Sequence, residues 1–518
     1  MRKTWFAYKR WLAFLLALAM ICIMGCNDTN KKNKPDLYDN LQPAALEPVE
    51  ISIYTYGNPP SSIKGAIEAN LEQISIATAE TIHVMPRFFW IPYDQYDAKI
   101  QEIVSSGQKI DAFTCFSPQS FIQQGLCLDL TGLFKQYAPT YYDDLMANPL
   151  GRDYFSGYSA DGSLYAIPYN GISNPRRCVV TRAELAGKYA PEGLETLEDY
   201  GLFLEKIKEN ESKFSYPGVV DSHEFFQAYM EGNGYFGNVA TFLFSRWDEN
   251  GENLYSIEQT PEFIDALHLV KNWKEKQYIL PDTRQQHLYT IENGKVASML
   301  LRMEHVSDFF SIASRSDAQF KVIPLYMESL HLLYTSARGV AVSQSSLNPE
   351  RVLMFMEWIH GSQSNYDLFM YGVEGTNYIL ENESMRFPNA EVDPLDAWKN
   401  YGADFFRDFR YDRIVSNVDS NFRQVYQEAS FVNIKTSLDL YQMIQKKVED
   451  QQTEMEELGR QFSQTDEIIN SYFENMNTFI QTVESGIFGM TVDELKTKQK
   501  EAGIETVLDL YTKMMSGF

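Results

Sequence analysis

The sequence predicts an α/β protein of two or more lobes that ends in an all-helical extension, and three observations carry that prediction. A single hydrophobic core stops growing near 250–300 residues, so a chain of 518 residues must divide. Strand-like segments alternate with amphipathic helical ones through the first part of the chain, the pattern of βαβ units on a parallel sheet. From about residue 434 to residue 516 the strand signal fades. The chain there is rich in Glu, Gln, Lys and Met, with its apolar positions on one side of each predicted helix. No heptad persists long enough for a coiled coil, so these helices are expected to pack on the preceding lobe.

The elements follow in order. Arg2, Lys3, Lys9 and Arg10 precede an apolar run from Trp11 to Met24, which ends at Gly25-Cys26. This is the layout of an export signal, and the apolar run is short for a bilayer span. A cysteine at the processing point can carry a diacylglycerol on its thiol and a further acyl chain on its freed amine. Two chains anchor a protein stably where one does not. Residues 27–48 are polar, contain three prolines and read as a flexible tether. Val49–Tyr56 alternates as a strand and stops at Gly57-Asn58-Pro59-Pro60. A helix is expected over about 63–78 and a strand over 83–90. Asp94 is positioned to cap a helix carrying Ile100, Ile103 and Val104, Gly107 to end it, and 110–113 to form the next strand. Thr196 and Asp199 have the spacing of a capping box, opening a helix through Ile207. Helices also fit 261–276 and 349–360.

Composition narrows the functional classes. The formal charge is −25, and loss of the leader's cations makes the remainder more acidic still, which argues against nucleic acid and against electrostatic adhesion to anionic lipid. Membrane attachment is therefore assigned to Cys26. Beyond Cys22 and Cys26 the cysteines are Cys115, Cys127 and Cys178, with no clustered Cys/His spacing. Buried free thiols are preferred over one bridge with a spare thiol, and no metal and no cofactor is expected. There is no GxSxG elbow, HExxH or phosphate-binding loop, so no catalytic residue is assigned and the chain is not read as an enzyme. The acidic residues leave a glycosidase carboxylate pair open as the least favoured alternative.

Four segments carry a family resemblance. The first runs from Tyr93-Asp94-Gln95-Tyr96-Asp97 through Ser105-Ser106-Gly107-Gln108-Lys109-Ile110-Asp111 and continues at Gly125–Asp129-Leu130. The second is Asp161-Gly162-Ser163-Leu164-Tyr165-Ala166-Ile167-Pro168. The third is Glu292-Asn293-Gly294-Lys295-Val296-Ala297-Ser298-Met299. The fourth joins Asn348-Pro349-Glu350 and a helix ending in Trp358 to Tyr371-Gly372-Val373-Glu374-Gly375. In this order, over roughly residues 50–380, the chain resembles an extracellular solute-binding lipoprotein of a bacterial ABC importer, of the carbohydrate-uptake type (family 1). Two departures stand out. Gly171–Cys178 reads GISNPRRC where the family often has a Tyr/Phe-rich strand, and no tryptophan follows the third segment's methionine.

The resemblance implies a two-lobed periplasmic-binding-protein-like fold (type II), with residues 49–167 and 324–372 in lobe 1 and 168–323 and 373–518 in lobe 2. It implies a monomer, tethered outside the cytoplasm, that closes on a sugar or oligosaccharide between the lobes and delivers it to an ABC permease. Alternatives left open are a peptide or other solute, or a sensor role. Ligands of open α/β sheets sit beyond the carboxyl ends of strands. That places Tyr56, Asn58, Phe116, Ser117, Gln119, Tyr169 and Asn170 at the binding rim. Tyr56, Trp90, Phe116, Tyr169 and Trp247 offer flat faces for sugar C–H surfaces; Asn58, Gln119, Asn170, Arg302 and Glu304 offer hydrogen bonds. Each has a plainer alternative in core burial or surface exposure. Arg302 and Glu304 can simply pair with each other; Arg176-Arg177 offers a hold for an anionic ligand, with a solvated face as the plainer reading.

Overall fold

The computed structural model describes residues 47–516 apart from 58–63, 117, 149–154, 156–158, 161, 171–175, 239–241, 250, 281–290, 292–293, 307–308, 310–316, 334–337, 382–383, 387–402, 437–456, 459, 462–463 and 486–488. The export leader, Cys26 and the tether lie outside the described residues, as do Asn58 and Ser117.

The chain divides into two compact units. The first combines the segment up to Ile172 with Tyr334–Ser416, and the second combines Ser173–Leu333 with Asn417–Phe518. The sequence places the changeovers near 167, 323 and 372; in the structure they fall at 172, 333 and 416. The largest difference is the stretch after Tyr371, which stays with the first unit because its contacts are there. Arg413 donates to Asp367 at 2.6 Å, and the Asn170 amide donates to the Arg407 carbonyl at 3.0 Å.

A five-stranded sheet organises the first unit, in the order 84–91, 49–56, 112–115, 339–342, 166–168. The first three strands run parallel, and Gly339–Val342 is antiparallel to both its neighbours. Val49–Tyr56 lies between two parallel neighbours, and Ile51 and Ile53 are fully buried alongside Thr55. Helix Tyr96–Ser105 turns Tyr96, Ile100 and Ile103 inward at helical spacing. Gln95, not Asp94, precedes the first helical residue, and its side chain makes no cap bond. The turn closed by the Gln95 amide on the Pro92 carbonyl, together with the buried Tyr96 hydroxyl donating to the Thr114 carbonyl at 2.8 Å, anchors that end instead. Gly107 adopts a φ of 72°, a left-handed conformation that glycine takes without strain.

The second unit holds a four-stranded sheet in the order 320–324, 177–182, 296–302, 216–220. Strand Arg177–Arg182 is antiparallel to both neighbours, and Val296–Arg302 is parallel to Tyr216–Val220. The capping box forms as expected, with Thr196 and Asp199 each accepting the other's amide ahead of helix Leu197–Asn210. Helices Asp466–Glu484, Val492–Ala502 and Ile504–Ser516 bury Tyr472, Met476, Phe479, Ile480, Leu495 and Val507 in one core with Phe242 and Phe263. The helical extension thus completes the second unit's core. One element departs from the helical reading: Ile434–Thr436 is a strand, parallel to His331–Leu333. Cys115, Cys127 and Cys178 form no disulfide among the described residues and are buried, and burial pushes the Cys127 thiol up to about 12.

Candidate ligand site on the first unit

The three parallel strands of the first unit end on the same side of their sheet, and aromatic rings collect where they end. Tyr56 is the last residue of the middle one of these three. Its ring stacks on Tyr96 at 3.6 Å between centroids, and Phe116 and Phe405 lie at 4.8 and 5.7 Å. Tyr93, in the turn after Val84–Ile91, is 5.5 Å from Tyr56 and 6.1 Å from Phe116. Phe405 meets Phe116 edge-on at 4.9 Å. The cluster is layered. Tyr56 and Phe405 are buried, Phe116 is half-buried, and Tyr93 is 44% exposed. Tyr56 and Phe405 form the floor, so the surface open to a ligand belongs to Phe116 and Tyr93.

Polar groups fix this floor. The Tyr56 hydroxyl donates to Asp97 at 3.2 Å. Arg338 lies 6.0 Å above the Phe116 ring and 3.9 Å from the Asp404 carboxylate, next in sequence to Phe405. The Tyr169 amide donates to the Arg338 carbonyl at 2.9 Å, which ties the strand Ala166–Pro168 to the same place. Burial holds the Tyr96 hydroxyl well above the ordinary tyrosine range, so it stays a neutral donor under the stack.

Of the rim residues expected from sequence, the structure brings together Tyr56 and Phe116. Gln119 is half-buried at the start of the short helix Gln119–Gln123. Trp90 is half-buried at the end of its strand, packed against the first unit's core and 6.4 Å from Phe88. Tyr169 is 4% exposed and Asn170 fully buried. The Asn170 side-chain oxygen accepts from Asn148 at 2.8 Å, and its main chain pairs with Arg407 and Phe409. This makes Asn170 an internal fastener of the first unit. Tyr93, Phe405 and Arg338 were not singled out from sequence. Tyr93 stood inside a recognised motif, whereas Phe405 and Arg338 arrive from about 220–290 residues further along the chain, beyond any local signal.

Trp247, Arg302 and Glu304 lie on the second unit. Trp247 rests against Phe236 at 4.1 Å and donates its indole N–H to the Leu330 carbonyl at 3.1 Å. Arg302 donates to Glu304 at 2.7 Å and to Glu224 at 3.0 Å. Arg177 continues the chain of charges. Its Nε donates to Glu224 at 2.8 Å and its Nη1 to Glu231 at 2.9 Å, while His331 meets Glu231 at 3.2 Å. Burial opposes ionisation of Glu224, but Arg302 and Arg177 win and hold its carboxyl well below the usual range. Glu231 is lowered in the same way, against its burial, by Arg177 and His331. The solvated reading of Arg176-Arg177 is therefore corrected: both are buried. Arg176 donates to the carbonyls of Tyr326, Ala429 and Val432, the last at 2.7 Å.

The chain matches the family described as bacterial extracellular solute-binding protein over residues 87–386, more than half its length. It belongs to that family. Its members act outside the cytoplasm as binding proteins, in keeping with the two α/β units and the extracytoplasmic reading. Among curated protein sequences nothing matches. Among solved structures, the N-glycan transport solute binding protein NgtS of Streptococcus pneumoniae is similar at 18% identity. The match covers 90% of this chain and 98% of that one, with a TM-score of 0.62. Its complex with Man1GlcNAc matches at a TM-score of 0.57 over the same shares. A Bifidobacterium longum infantis solute-binding protein, described as HMO-binding and ABC-transporter-associated, matches at 11% identity over 90% and 98%, with a TM-score of 0.51. At these identities the likeness is one of fold.

Proposed function

We propose that the protein is a lipoprotein, anchored through Cys26, that captures an oligosaccharide and delivers it to an ABC permease. The observation that carries the sugar reading is the aromatic cluster at the ends of three parallel strands, with Phe116 and Tyr93 presenting ring surface above a buried floor. Such rings match the C–H faces of pyranoses. The saccharides named for the similar structures, Man1GlcNAc among them, support the same class. The leader sequence up to Gly25-Cys26 supports the anchor, and the family supports delivery to a transporter. Binding requires no bond-breaking step: ligand shifts a conformational balance and is released intact.

The test is a thermal-shift screen of the full chain in mild detergent against Man1GlcNAc, other oligosaccharides and short peptides. A ligand at 100 times its dissociation constant stabilises by about 2.7 kcal/mol. The expected result is a shift with an oligosaccharide that is recovered unchanged. Cleavage of the sugar, or a shift with peptides alone, would overturn the reading.

A further inference from the structure

The core that seats the helical extension on the second unit holds a buried acid. Glu258 lies in the single turn Ile257–Gln259, directly after the strand Tyr255–Ser256, and is fully buried. Helix Asp466–Glu484 brings Tyr472 against it, and Phe242 and Phe263 belong to the same core. The Tyr472 hydroxyl oxygen lies 2.8 Å from the Phe242 carbonyl oxygen and 3.1 Å from Glu258 Oε2. A phenol has one hydrogen to give. The shorter contact is to a carbonyl, which only accepts, so that hydrogen goes to Phe242; the carbonyl's second lone pair takes the Ile257 amide at 3.0 Å. Tyr472 and Glu258 then share a hydrogen bond only if Glu258 brings the proton. Glu258 Oε1 has no hydrogen-bond partner among the described residues, which disfavours a carboxylate far more than a neutral acid.

We infer that Glu258 is a neutral carboxylic acid in the folded protein at pH values where ordinary carboxyls are ionised, and that its proton fastens helix Asp466–Glu484 to the second unit, so that seating of the helical extension depends on pH. The surrounding groups agree. Burial raises the Glu258 carboxyl, and it outweighs the pull of its own amide, of the Ser256 and Tyr472 hydroxyls and of Lys496. Lys496 acts from helix Val492–Ala502, where its side chain is exposed and its charge is screened. Helix Pro261–Glu275 contributes Phe263 to this core, while its first acid, Glu262, is engaged by Tyr235 at 3.0 Å and Arg246 at 3.6 Å. Loss of the Glu258 proton leaves a charge among buried rings, facing a hydroxyl whose hydrogen is committed to Phe242. The folded-state value lies above the unfolded one, so this stabilisation is fully present below the unfolded carboxyl range and is lost as pH rises through the folded value. Glu224 and Glu231, held low, act in the opposite sense.

The experiment follows denaturant unfolding of the second unit in the full chain, wild type beside Glu258→Gln, from about pH 5 to about pH 8. Glutamine keeps the shape and offers Tyr472 an N–H donor with no proton to lose. The wild type should lose stability relative to the variant as pH rises, by up to about tenfold in folding constant per pH unit between the unfolded and folded values. Hydrogen exchange locates the effect: amides of Asp466–Glu484 should lose protection with rising pH in the wild type beyond the change seen in the variant. Parallel stability curves for the two proteins would overturn the inference. A pH effect on exchange spread evenly over the second unit would overturn the fastening of this helix. Infrared spectroscopy keeps the test open where Glu258→Gln does not fold. At about pH 6 the folded wild type must show a carboxylic-acid C=O band that its unfolded form lacks, and absence of that band overturns the inference.

Discussion

Arg177 is the most demanding place to test how the second unit is held together, and replacing it with glutamine is the sharpest test. The side chain is 4% exposed and bridges two carboxylates, Glu224 and Glu231, at 2.8 and 2.9 Å. Breaking a buried pair by removing one partner costs about 3–5 kcal/mol, because the charge left behind stays buried. Glu224 keeps Arg302, and Glu231 keeps Gln227 and His331, so the lower end, roughly 3 kcal/mol, is expected. For a unit of this size that is a fall in melting temperature of about 6–12 °C. The sign of the pH dependence follows from the two carboxyls. Both have folded-state pKa values depressed below the unfolded range, so their contribution is present above the unfolded carboxylate range and lost as pH falls through the folded values. Without Arg177 the depression weakens and the carboxyls take up protons at higher pH than in wild type. The deficit of Arg177→Gln should therefore be greatest near neutrality and shrink on acidification toward pH 4. Calorimetry of the full chain at both pH values, following the second unit's transition, reads this directly. A deficit below about 1 kcal/mol at neutrality, or one of equal size at both pH values, would refute the reasoning.

Further outcomes are expected elsewhere in the molecule. Phe116→Ala should weaken oligosaccharide binding at least tenfold with little change in melting temperature, since that ring is only half-buried; Tyr56→Ala, stacked on Tyr96 at 3.6 Å, should instead destabilise the first unit by about 3–5 kcal/mol, and titration beside calorimetry separates the two. Gly201→Ala places a Cβ 2.8 Å from Nε1 of the buried Trp273 ring, an overpacking cost of about 1–3 kcal/mol that denaturant unfolding would show. Cys115, Cys127 and Cys178 should resist a thiol reagent in the native state and react after unfolding, as burial and the raised Cys127 thiol require. Cys26→Ser should move the protein from the membrane fraction to the soluble one in its own cells, because the acyl chains, not the acidic surface, are proposed to hold it.

The parts of the fold that were legible are those written locally. Val49–Tyr56 is bounded by its own alternation and by a glycine-proline stop, and the structure places the strand over the same residues. The Thr196–Asp199 box opens its helix because two orphan amides can be answered by two side chains three residues apart. What escaped was non-local. Ile434–Thr436 is three residues long, too short a β-branched alternation to stand out beside the helical pattern around it, and its partner, His331–Leu333, lies about a hundred residues earlier. The return of 373–416 to the first unit depends on contacts such as Arg413 with Asp367 and Phe405 with Phe116, none of which leaves a periodic trace.

The arginine pair shows the same limit in its chemistry. Two adjacent arginines look like a wet surface because each alone is costly to bury. On extended backbone, however, neighbouring side chains leave on opposite faces, so the two need not share surroundings. Arg176 finds three main-chain carbonyls, and burial lowers its guanidinium to about 10. Arg177, first residue of its strand, finds two carboxylates, one shared with Arg302. In a chain with 45 Lys and Arg against 70 Asp and Glu, such cations are scarce, and these hold the second unit together. The sequence GISNPRRC thus departs from the family's aromatic strand for a structural reason, since two positions there are occupied by sheet-fastening charges. Aromatic surface then has to come from elsewhere, and on the first unit it collects at the ends of three parallel strands.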